Sequence, residues 1–89
     1  MASKFTTVNE VRGFFEQCKG FWLRQGCSEA VAICKAFWWD IVEVSNSFDA
    51  WGTAKEQFAL EYAGYKIGDP LPSEADVEAG TCVPKKFAR

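Results

Sequence analysis

Residues 35–40 read Lys-Ala-Phe-Trp-Trp-Asp, three aromatic side chains in a row between a lysine and an aspartate. On an α-helix each residue advances about 100°. Three neighbouring rings therefore spread over more of the circumference than a surface helix buries on one face. Phe37 and Trp38 fall with Ala30, Val31, Ile33, Cys34, Ile41, Val42 and Val44 on one broad apolar side. That girth suits a central helix held between two neighbours. Trp39 is the ring left over, on the polar side and four residues from both Lys35 and Glu43. Lys35 can pack along it, with a cation–π contribution of about 0.5–1 kcal/mol. A tryptophan so placed is either a flat surface ring, covered by the C-terminal segment, or a binding anchor of the kind enriched in interface hot spots.

Helical signals continue on both sides. Thr7-Val8-Asn9-Glu10 has the spacing of a capping box, a hydroxyl at the cap and a carboxylate three residues on. Behind it Val8, Val11, Phe14, Phe15, Cys18, Phe21 and Trp22 form one apolar stripe, which Gly26 stops. Ser28 can cap the next helix. Phe48, Trp51, Ala54, Phe58, Tyr62 and Tyr65 share a third stripe, ended by Gly64. After the turn-rich Gly-Asp-Pro-Leu-Pro at 68–72, Ser73-Glu74-Ala75-Asp76 opens a short acidic helix that Gly80 closes. The expected fold is all-α: a single-domain bundle of three main helices, about 8–25, 29–44 and 48–63, plus a short C-terminal helix at about 74–79. Residues 81–89 show no period and are expected to be a flexible tail. No alternating run long enough for a strand occurs.

A hairpin turning at Gly26 sets a register. Cys18 and Cys34 lie eight residues either side of it, so they are expected to face each other, buried and reduced. The same register pairs Phe14 with Trp38, Phe15 with Phe37 and Val11 with Ile41. Gly13 and Gly20 share the back of the first helix, either as tolerated surface glycines or as a smooth groove for another backbone.

Eighty-nine residues suffice for one domain with a modest core. Eight Phe, four Trp and two Tyr are a large aromatic load for that size, and an exposed aromatic surface is plausible. No apolar run is long enough to span a bilayer, and the opening residues lack a secretory pattern. A cytoplasmic protein with reduced cysteines is expected. The net charge of −2 is unevenly placed. Residues 1–39 carry +2, residues 40–78 carry −7 and the last eleven carry +3. An acidic block thus sits between weakly basic ends.

There is no histidine, which removes the Ser-His and Cys-His nucleophile arrangements and the commonest base near neutral pH. Asp40 and Glu43 form a carboxylate pair without catalytic partners, and no phosphate-binding glycine loop is present. We expect no catalytic residue and no cofactor. The spacings of Cys18, Cys27, Cys34 and Cys82 do not suit zinc, and no metal is expected. Cys27, beside a helix start, is the candidate reactive thiol. An acidic chain with a pI near 5.0 is also a poor direct nucleic-acid binder.

These features favour a non-catalytic protein-binding module, a small inhibitor, adaptor or regulator. The candidate interaction residues are Trp39, Lys35, Asp40, Glu43, Glu56 and Glu61. The expected partner is another protein, and a nucleic-acid-binding one whose basic channel the acidic block could occupy fits the charge pattern. Dimerisation through exposed aromatics is open to it. In size, acidity and lack of catalytic groups the chain resembles small phage or mobile-element inhibitors, including anti-CRISPR proteins. That resemblance is one of general profile. The rival class is a thiol-dependent redox or metal-binding module built on Cys27 and Cys82.

Overall fold

The computed structural model describes residues 7–43, 52–66 and 68–87. The first helix, α1, spans Val8–Arg24 and starts as its capping box predicts. Thr7 Oγ1 accepts the Glu10 N–H at 3.2 Å, and the Thr7 N–H donates to Glu10 Oε1 at 3.1 Å. It ends in a Schellman motif: the Gly26 N–H donates to Leu23 O and the Cys27 N–H to Trp22 O. Gly26 makes this closure possible with φ 95°, in the left-handed region.

Ser28 Oγ accepts the Val31 N–H and opens α2, Glu29–Cys34. The chain then continues as a π-helix over Lys35–Glu43. Together they cover the expected second helix apart from Val44, which lies outside the described residues. The change of helix type matters for the three rings. In a π-helix each N–H reaches five residues back, so the turn is wider and consecutive side chains fan over a narrower arc. Ala36, Phe37 and Trp38 are consequently buried in succession, and Trp39 is drawn part-way in.

Helix α3 spans Gly52–Ala63, with Gly64 after it. The expected first residues of this helix, 48–51, lie outside the described residues. Helix α4, Glu74–Ala79, is capped by Ser73 and closed by Gly80. Gly80 is doubly constrained. Its φ is 72°, and a Cβ there would stand 3.1 Å from Ala30 Cβ and 3.2 Å from the Val31 backbone nitrogen. This glycine lets α4 close against α2. Among the described residues there is no strand, and no helix is long and apolar enough to cross a membrane.

The core joins Val11 and Phe15 of α1 to Phe37, Ile41 and Val42 of the π-helix and Phe58 and Ala59 of α3. Phe15 meets Phe37 edge-on at 6.5 Å, as the hairpin register predicts. That register fails elsewhere. A level antiparallel pair would set Trp22 beside residue 30, yet Trp22 meets Lys35, Trp39 and Asp40. The second helix therefore crosses α1 instead of running level with it. Of the two cysteines expected to be buried face to face, Cys34 is buried, with Cys82 as its thiol neighbour, whereas Cys18 is only partly buried, with the Asp40 carboxylate as its charged neighbour. Nor does any backbone close on Gly13 or Gly20 among the described residues.

The segment after Gly80, expected to be a flexible tail, lies on the body through residue 87. Trp38 Nε1 donates to Cys82 O at 2.8 Å. Phe87, in a 3₁₀ turn over Lys85–Phe87, stacks on Phe15 at 4.8 Å and meets Tyr62 at 5.1 Å. Residues 88 and 89 lie outside the described residues.

Candidate functional site

Where α1 crosses the π-helix, its last turns meet the polar side of that helix. Trp22 and Trp39, both partly buried, stand edge-to-face at 6.2 Å. Lys35 Nζ sits over both rings, 4.6 Å from the Trp22 centroid and 5.3 Å from that of Trp39. The Lys35–Trp39 contact was expected from their spacing. Trp22 as a second ring was not, because it comes from another helix. Phe21 extends the series, edge-on to Trp22 at 5.1 Å and 46% exposed. Leu23 on the same turn region is also exposed. The result is an aromatic ridge, Phe21–Trp22–Trp39, with an ammonium seated on it.

Asp40 fixes this ridge from below. Its Oδ2 accepts the Trp22 Nε1–H at 2.8 Å. The Cys18 thiol is a neighbour of the same carboxylate. Burial first, and then this neighbouring negative charge, push Cys18 up to about 12. Lys55 completes the group. It is 1% exposed, and burial drives its ammonium down to about 6 against the opposing pull of Cys18 and Asp40. Nothing in the sequence pattern marks Lys55 as part of this group. Its placement one residue off the Ala54 stripe would ordinarily send a lysine to water.

On the far side of Trp39 lies a cleft of about 420 Å³, lined by Trp38, Trp39, Glu43, Leu71, Pro72 and Glu74. Glu43 is thus brought to Trp39, as proposed from their spacing. Glu56 and Glu61 have different surroundings. Glu56 borders a separate recess with Leu60, Tyr65 and Lys66. Glu61 pairs with Lys86 at 3.0 Å, and Lys86 lies over the Tyr62 ring at 5.0 Å. The six candidate residues therefore form one group of four, Lys35, Trp39, Asp40 and Glu43, with two separate carboxylates.

Cys27 is a free, partly buried thiol at the turn between α1 and α2. The thiol contact the fold makes is Cys34 with Cys82. Burial, and then the hydrogen bond and charge of Cys34, push Cys82 up to about 12. Among the described residues no three Cys, Asp or Glu side chains converge to hold a metal ion. Comparison with protein-family models, curated proteins and solved structures finds no match for this chain.

Proposed function

We propose that this chain is a non-catalytic protein-binding module, a small cytoplasmic inhibitor, adaptor or regulator that presents the Phe21–Trp22–Trp39 ridge to its partner. The observation that carries this reading is the ridge itself. Two tryptophans are held rigid by Lys35 and Asp40 yet remain partly open, next to an exposed phenylalanine and leucine. Rigid amphipathic rings lose little conformational freedom on binding and make the strongest interface anchors. The Glu43 and Glu74 carboxylates beside Trp39 favour a basic partner surface, such as a nucleic-acid channel, which an inhibitor of the anti-CRISPR type would occupy. The test is retention of host proteins on immobilised wild-type chain compared with Trp39→Ala. Proteins retained by the first and released from the second support the reading. Equal retention, or none, rejects it.

A thiol-based function keeps one observation in its favour, the Cys34–Cys82 contact. Against it stands the raised pKa of Cys82, since the thiolate is the reacting species. Thiol titration separates the two readings. Rapid modification of Cys82 near neutral pH would favour the thiol function.

A further inference from the structure

The cleft beside Trp39 has a composition that the ridge alone does not explain. Two indoles, Trp38 and Trp39, line it together with the apolar Leu71 and Pro72. Its charged lining is negative only: Glu43, from the end of the π-helix, and Glu74, from the start of α4. Both carboxylates are on exposed residues, and neither is held by an ion pair among the described residues. At about 420 Å³ the cleft falls within the usual range for ligand sites, about 300–1,000 Å³. Tryptophan faces attract cations, and carboxylates set beside them add charge and direction. Lys35 stands 5.3 Å from the Trp39 centroid and opposes a second cation. Glu43 and Glu74 outnumber it, so the cleft stays negative.

We infer that this cleft is a binding site for a guanidinium group, the side chain of an arginine projecting from the protein partner. A guanidinium is preferred to a simple ammonium for two reasons. It is planar and weakly hydrated, so it stacks on an indole at small desolvation cost. Its forked donors can also address carboxylates arriving from two different elements. The site deepens the protein-binding reading and rests on it, because the cleft takes one side chain while the ridge takes the surface around it.

The probe is N-acetyl-arginine methylamide, titrated into the full chain labelled with ¹⁵N and followed through the indole N–H signals. Saturable shifts of Trp38 and Trp39 are expected, with no comparable response to the isosteric but uncharged citrulline amide. The double change Glu43→Gln, Glu74→Gln should weaken binding tenfold or more. Both residues are exposed, so the fold should persist, and a thermal melt checks this. If the double variant fails to fold, raised salt on the wild type serves instead and should weaken binding. Equal shifts with arginine and citrulline amides, absence of saturation, or a response of Trp22 alone would overturn the assignment. Tighter binding of the trimethyl-lysine amide would overturn the guanidinium in favour of a quaternary ammonium.

The arms also separate this inference from the broader one. Proteins retained equally by wild type and by the Glu43→Gln, Glu74→Gln variant, but lost with Trp39→Ala, leave the ridge standing and sink the cleft. Arginine-amide binding without retention of any protein leaves the cleft and sinks the protein-binding function.

Discussion

Two groups of rings divide the molecule, and they are held by different physics. Inside, Phe15, Phe37 and Phe58 lie fully buried within 5.6–6.5 Å of one another. No hydrogen bond or charge is needed to place them. Outside, Trp22 and Trp39 are fixed by Asp40 below and Lys35 above. The inner group gains by removing area from water, and the outer group keeps contact with water and spends charge on orientation. The first should therefore answer to volume and the second to charge.

The largest expected effect lies inside. Phe37→Ala should cost about 3–5 kcal/mol, since it leaves a cavity between Phe15 and Phe58. Thermal or urea unfolding measures this. A loss below about 1 kcal/mol would mean that the interior collapses around the gap, and the contrast between the groups would weaken.

Lys55 lies at the boundary between the groups, and its effect follows from charge despite its burial. Its ordinary value is 10.5, and burial lowers it to about 6. Between those values the unfolded chain binds a proton that the folded chain does not. Stability therefore rises with pH across this window and falls as pH drops towards about 6. Above 9.0 the raised thiols Cys18 and Cys82 act in the opposite sense, so the rise is cleanest below that value. Lys55→Met should remove the slope, since it removes the group that titrates differently in the two states. Urea midpoints from pH 6 to pH 9 decide the point. A slope that survives in Lys55→Met belongs to another group.

Trp39→Ala is expected to fall between the groups, at about 1 kcal/mol, because the ring packs partly on the core while its charged neighbours stay solvated. A cost matching Phe37→Ala would make Trp39 part of the interior and erase the distinction.

What was legible in the chain follows the range of the interactions. Thr7 with Glu10, Ser28 with Val31 and Ser73 with Asp76 act within one turn, so the helix starts could be read directly. So could Lys35 beside Trp39. The π-helix could not, because the wider turn is selected by packing against α1 and α3 and leaves no local residue pattern. The crossing that brings Trp22 to Asp40, eighteen positions away, was hidden for the same reason. Phe87 belongs to no periodic stripe, and only the fold brings it to Phe15. Lys55 was hidden by its type, since a lysine one residue off an apolar stripe usually extends to water.

The smallest effect concerns a charge outside both groups. Glu61 and Lys86 form a contact of 3.0 Å, but each side chain is about half exposed, at 49% and 50%. Exposed pairs contribute about 0.2–1 kcal/mol, and salt screens them. Glu61→Gln should therefore cost no more than about 0.5 kcal/mol. Lys86 has a second contact, its ammonium over Tyr62 at 5.0 Å, which survives the change. The segment carrying Phe87 is thus anchored mainly by its ring on Phe15 and by the Trp38–Cys82 hydrogen bond. Hydrogen exchange over residues 82–87 provides the check. Unchanged protection in Glu61→Gln, with protection lost in Phe87→Ala, would assign the docking of this segment to ring packing. Protection lost on removing the carboxylate alone would assign it to charge and extend the electrostatic regime of the outer rings into a part of the fold that packing is expected to control.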